Sequence, residues 1–143
     1  MVTVEYGKRS VDPALIALTE RGVRFTFLGE PFRSWQKIPH EDIVDVNCNK
    51  IEMTDADALP LLALTNLEGI SFWETNITDR TIELISCLRK LSRLNLCGTQ
   101  VTDASVPTLV AMALNYVDVA DTQVTRQGVE LLRTGLPNGE ILF

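Results

Sequence analysis

A stretch of this chain repeats itself with a period near 24 residues. Aligned from Ile43, Leu67, Leu91 and Leu114, four segments read IVDVNCNKIEMTD, LEGISFWETNITD, LSRLNLCGTQVTD and LNYVDVADTQVTR, with starts 24, 24 and 23 residues apart. Apolar residues share columns: Val46, Ile70, Leu94 and Val117; then Cys48, Phe72, Leu96 and Val119; then Met53, Ile77, Val101 and Val124. A period of this length marks units that are each one supersecondary element, too small to close a core alone.

The chemistry of one unit is readable. In Leu94-Asn95-Leu96 the leucines face one way and Asn95 the other, the alternation of a half-buried strand. Gly98 and Thr99 mark the turn out of it. Thr102-Asp103 is a helix-start signal, because a short side-chain oxygen accepts from an otherwise orphaned N–H. Helical spacing follows, with Val106, Leu109 and Val110 here and Val129 and Leu132 in the last unit. One strand and one helix per unit must stack on their neighbours to bury these faces.

The segment Leu91 to Asp103 resembles the leucine-rich-repeat family, close to its cysteine-containing subtype and to bacterial proteins with L-x-x-L-x-L-x-x-T-x-V-T-D repeats. The resemblance covers residues 43–143, about 70% of the chain. It implies an α/β solenoid, a short horseshoe with a parallel sheet on its concave face and helices on its convex face. The units are 43–66, 67–90, 91–113 and 114–137, with a final strand at 141–143. Thr75, Thr99 and Thr122 occupy the family's ladder position, which implies side chains tying successive turns together; Ile51 departs from it. No reaction is implied.

Residues 1–42 are expected to cap the first repeat within the same structural domain, since a stack exposes apolar ends. Asp12-Pro13 reads as an N-cap with a first-turn proline, Ala14, Leu15 and Leu18 as a helical face, Gly22 as a stop, and 23–27 as a strand. Residues 29–40 read as a loop or hairpin arm anchored by Trp35. At the other end, Leu136-Pro137-Asn138-Gly139 closes the last helix, and Leu142 in the final strand faces outward.

Composition limits the functional classes. A net charge of −6 repels phosphate backbones, and no run of basic residues offsets it, so nucleic acid is not an expected partner. No apolar run approaches the roughly 20 residues of a membrane span, and the first ten residues lack the apolar core of a signal peptide, so a soluble cytoplasmic or other intracellular protein is expected. Cys48, Cys87 and Cys97 lack the count and spacing of a disulfide or zinc framework and read as free thiols. No cofactor or metal is expected; calcium sites want convergent loop oxygens that Asp45, Asp118 and the neighbouring asparagines do not supply in one loop.

The expected function is therefore a non-enzymatic protein-interaction module, an adaptor or scaffold. Residues alternating with the buried ones would face the partner: Asn47, Ser71, Trp73, Arg93, Asn95, Tyr116 and Asp118. Trp73, Arg93 and Tyr116 are residue types enriched at binding hot spots, here on three adjacent strands. Trp73 could instead be covered by the 31–40 arm. The alternative is a structural subunit or homo-oligomer joined through exposed strand edges. A remoter one is a thiol enzyme using Cys97, for which the sole histidine, His40, lies two repeat strands away.

Overall fold

Each repeat becomes one strand and one helical segment. The computed structural model describes residues 4–6, 9–11, 13–27 and 40–143. Strands β4 (Ile43–Asn47), β5 (Gly69–Ser71), β6 (Arg93–Asn95), β7 (Tyr116–Asp118) and β8 (Glu140–Leu142) pair in parallel, each with the next. Val46, Ile70, Leu94, Val117 and Ile141 form one register row, as the column alignment requires. The first four of these are buried, and the whole row packs into a single core. The last strand begins one residue earlier than the sequence suggests, because the Glu140 N–H donates to the Asn115 carbonyl at 2.9 Å.

The sheet opens with β3 (Arg24–Phe27), antiparallel to β4, giving six strands in the order β3-β4-β5-β6-β7-β8. Helix α1 (Pro13–Glu20) precedes it and buries Leu15 and Leu18, and Gly22 takes the left-handed turn at φ 101°. The sequence reads a helix followed by a strand here, and both form. A hairpin of β1 (Val4–Tyr6) and β2 (Arg9–Val11) was not foreshadowed by the sequence pattern. The Asp12 cap, the Trp35 anchor and residues 29–39 of the arm fall outside the described residues.

The helical segments are a 3-10 helix at Asp55–Ala63, α2 (Asp79–Ile85), a 3-10 turn at Asp103–Ser105 leading into α3 (Val106–Ala111), and α4 (Arg126–Gly135). Pro60 lies inside the first and lacks an N–H to donate, which fits its departure from α geometry. Thr78, Thr102 and Thr125 act as N-caps, their hydroxyls accepting from the N–H groups of Arg80, Ala104 and Gly128. The helix-start signal holds in each case.

The tie between repeats differs from the one the resemblance implies. The hydroxyls of Thr75, Thr99 and Thr122 donate within their own repeat, to the carbonyls of Phe72, Leu96 and Val119. Aspartates join the repeats instead. Asp55 accepts from the Thr78 N–H at 2.9 Å and from the hydroxyls of Thr78 and Thr81 at 2.7 and 2.6 Å. Asp79 accepts in the same way from Thr102 and Ser105, and Asp103 from Thr125. Gly128 stands where a third hydroxyl would be, and a Cβ there would lie 2.2 Å from Asp103 Oδ1. At the first repeat, Thr54 N–H bonds Asp57 of its own segment at 2.8 Å, and Arg21 in turn holds Asp57 at 2.7 Å.

The architecture is thus mixed α/β, with an open six-stranded sheet and helices packed on one core. Among the described residues no helix is long and apolar enough to cross a membrane.

Candidate functional site

Because strand side chains alternate, the face of the sheet turned away from the core carries its own register rows. The first runs Thr26, Asp45, Gly69, Arg93, Tyr116, Glu140, and the second Arg24, Asn47, Ser71, Asn95, Asp118, Leu142. Small residues at the middle strand, Gly69 and Ser71, leave an open depression of about 380 Å³ between Thr26 and Asp45 on one side and Arg93 and Tyr116 on the other.

Gly69 has a specific consequence in the first row. A Cβ there would sit 2.0 Å from Asp45 Oδ1 and 3.1 Å from Arg93 Nη2. Without one, Arg93 Nη2 reaches across β5 to Asp45, at 2.8 Å from Oδ1 and 3.0 Å from Oδ2. Both partners remain partly solvent-exposed, so the pair orients the guanidinium more than it stabilises the fold.

The second row ends the strands. Asn47 Oδ1 accepts from the Asn49 N–H at 3.0 Å, Asn95 Oδ1 from the Cys97 N–H at 2.9 Å, and Asp118 Oδ1 from the Ala120 N–H at 2.9 Å. Each side chain thereby captures the amide two residues on and turns the backbone out of the sheet. Ser71 differs, donating its hydroxyl to Asn49 Oδ1 at 2.5 Å.

The remaining candidates are placed as follows. Trp73 does not lie on a strand as the sequence reading has it; β5 ends at Ser71, and Trp73 stands in the following turn. It is half-buried, with Lys50 Nζ 4.5 Å from its ring centroid, a cation–π geometry. Its expected cover, the 31–40 arm, lies outside the described residues except for His40. Tyr116 is partly exposed, and burial followed by the charges of Asp118 and Glu140 pushes its hydroxyl pKa up. Asp118 is only 9% exposed, the least accessible member of the set. Asn47, Ser71, Arg93, Asn95 and Tyr116 do converge on the depression.

Two of the thiols are held above their ordinary pKa. Burial, then the carboxylates of Asp118, Asp121 and Glu74, raises the pKa of Cys97 against a smaller opposing hydrogen bond from Trp73. That is opposite to the environment of an activated nucleophile. Cys48 is fully buried, and its thiol pKa is pushed up to about 12 by burial. Cys87 is exposed just beyond α2. No cluster of His, Cys, Asp or Glu among the described residues could hold a metal ion.

Sequence reasoning missed Gly69 as the gap beneath the Asp45–Arg93 pair, and the Asp55, Asp79 and Asp103 ties. A usable signal for the latter existed: Asp55 and Asp79 are each followed 26 residues later by a hydroxyl, Thr81 and Ser105. No protein-family model matches the chain, and no curated protein matches it either.

Proposed function

We propose that the chain is a leucine-rich-repeat solenoid acting as a non-enzymatic adaptor, which takes a protein partner on the open sheet face and adjoining loops. In such a solenoid the open face is the concave one. One observation carries the reading: a depression on the sheet face opposite the core, into which Arg93 and Tyr116 bring hot-spot side chains beside polar Asn47, Ser71 and Asn95. Strands about 4.8 Å apart and about 12 Å long give the face roughly 300 Å², well below the about 800 Å² a stable interface takes from each partner. Binding through this face is therefore of modest affinity, or one part of a larger contact. Three free cysteines fit a reducing, intracellular setting.

The test is site-specific photo-crosslinking in the native cell. A photoreactive residue at Ser71 captures a partner that the same residue at the exposed Glu83 of α2 does not. Equal capture at both positions, or none at Ser71, would remove the reading.

A second reading has its own observation. Among the described strands β8 pairs only with β7, and Leu142 on its open-face row is partly exposed, so another chain could add to this edge. A concentration-independent oligomer in light scattering would favour this structural-subunit reading, and a stable monomer would favour the adaptor.

A further inference from the structure

Charge is unevenly spread over the open face. Its two register rows hold the basic residues Arg24 and Arg93 and the acidic residues Asp45, Asp118 and Glu140. Arg93 reaches toward β4 and meets Asp45 at 2.8 Å, so these two charges cancel. Its guanidinium is thereby turned away from β7 and β8. Arg24 stands on β3, four strands from β7 and about 19 Å from it at the usual strand spacing. No ion pair among the described residues involves Asp118 or Glu140.

These two carboxylates bracket Tyr116. Glu140 is its direct neighbour across the β7–β8 register and is exposed. Asp118 lies two residues further along β7, on the same face and about 7 Å on. Burial, then the charges of Asp118 and Glu140, raises the pKa of the Tyr116 hydroxyl, so both carboxylates act on that side chain. Asp118 is only 9% exposed, yet its one hydrogen bond is from the Ala120 N–H to Oδ1, at 2.9 Å. No buried side-chain oxygen among the described residues lacks a partner, so Oδ2 opens at the surface. A carboxylate stripped of most of its water, with one oxygen open and no cation beside it, gains more from an incoming cation than a fully solvated one does.

We infer that the β7–β8 side of the open face receives a basic segment of a partner protein, whose lysine or arginine donates to Asp118 Oδ2 and to Glu140 beside Tyr116. The inference rests on the proposed docking at the open face and names its partner's chemistry. Charge complementarity selects this occupant. The net charge of −6 draws a basic segment in at long range, and the two unpaired carboxylates hold it at contact.

The fold supplies its own control. Asn47 and Asn95 stand in the register row of Asp118 and make the same turn, each oxygen accepting from the amide two residues on. Asp118→Asn therefore keeps the backbone turn and removes only the charge. Glu140→Gln removes the second charge at an exposed position, and Glu83→Gln on α2 makes the same change in net charge away from the sheet. The experiment titrates the 15N-labelled full chain with capped peptides alternating glycine with lysine, glutamine or glutamate. The backbone amides of Tyr116, Asp118 and Glu140 are followed.

The expected result is saturable shifts at these amides with the lysine peptide, about tenfold tighter than with the glutamine peptide. Asp118→Asn and Glu140→Gln each weaken lysine-peptide binding by about fivefold or more at unchanged thermal midpoint, and Glu83→Gln by less than about twofold. Unchanged binding in both open-face variants, an equal loss in Glu83→Gln, shifts with the glutamate peptide alone, or no shifts with any peptide would overturn the inference. Crosslinking at Ser71 to a partner segment without lysine or arginine would also overturn it, while leaving open-face docking intact. Lysine-peptide binding without any captured partner would support the cation chemistry and count only against the adaptor reading.

Discussion

Asp45 and Arg93 meet at 2.8 Å across a strand to which neither belongs, directly above Gly69. Strands β4 and β6 are next-nearest neighbours, and any side chain at position 69 would stand between them. The guanidinium is thereby laid over the middle of the sheet instead of extending into solvent. In this way a missing Cβ sets the shape and the charge of the depression together.

Gly69→Ala should separate these effects from stability. The added Cβ would fall 2.0 Å from Asp45 Oδ1, but that atom ends a flexible, half-exposed side chain and can swing away. The pair is displaced, and folding free energy changes by less than about 1 kcal/mol, the usual worth of an exposed ion pair. Urea unfolding checks the stability and the Arg93 Nε resonance the displacement. A loss above 3 kcal/mol would mean that backbone, not side chain, has to move.

The aspartate ties should be unequal. Asp79 serves three donors, one of them the hydroxyl of Ser105, which is 3% exposed and would be stranded by Asp79→Ala. Asp103 serves only the amide and hydroxyl of Thr125, in an exposed setting. Asp79→Ala should cost about 2–4 kcal/mol and Asp103→Ala about 1 kcal/mol, because water can replace the second set of bonds but not the first. Denaturant midpoints check this, and wild-type midpoints in both variants would show that the ties carry no weight.

Acid should weaken the amino end of the repeat array first. Arg21 and the Thr54 amide hold the Asp57 carboxyl down at about 2, and hydrogen bonds from Thr81 and Thr78 hold Asp55 below its ordinary value against an opposing burial effect. Both folded values lie under the unfolded one near 3.9, so the stabilisation is complete above about pH 4. It is lost as pH falls through the folded values, down to about 2 for Asp57. Asp57→Asn should flatten that limb of a stability-versus-pH curve, and an unchanged slope would show that the Arg21–Asp57 pair carries no weight.

The strand columns were legible because burial on one face imposes period two and stacking imposes equal spacing. Val46, Ile70, Leu94 and Val117 satisfy both at once. The asparagines were legible only as outward residues. That Asn47 and Asn95 turn their oxygens inward depends on a free amide two residues on, which a residue alphabet does not display. The Thr102-Asp103 pair was legible as a helix start, which Thr102 fulfils, but a local cap reads the same whether or not the carboxylate also reaches forward to Thr125 of the next repeat. Trp73 was misplaced by two residues of strand because Ser71, like Asn95, ends the ladder early. The β1–β2 hairpin left little trace, being two three-residue strands with Gly7-Lys8 between them in sequence, not a strong hairpin dipeptide.

The turn after each strand offers a test of how much strain the repeat tolerates. Lys50, Glu74, Gly98 and Asp121 occupy the same column with φ of 58°, 53°, 72° and 53°, so the left-handed conformation belongs to the repeat and only one unit fills it with glycine. A non-glycine residue pays about 1–2 kcal/mol there, whereas glycine costs about 0.5–1 kcal/mol of extra freedom in the unfolded chain. The difference favours glycine slightly. Gly98→Ala should destabilise by about 1 kcal/mol, through strain and through a Cβ placed 3.1 Å from Glu74 Cγ. Asp121→Gly should stabilise by up to about 1 kcal/mol, and it removes one of the carboxylates that raise the Cys97 pKa. The two readouts are independent: the denaturant midpoint should rise, and the pH at which Cys97 begins to react with iodoacetamide should fall. A lower midpoint for Asp121→Gly would show that the aspartate side chain contributes a contact outweighing its backbone strain. An unmoved Cys97 profile would show that the Asp121 charge does not reach the thiol.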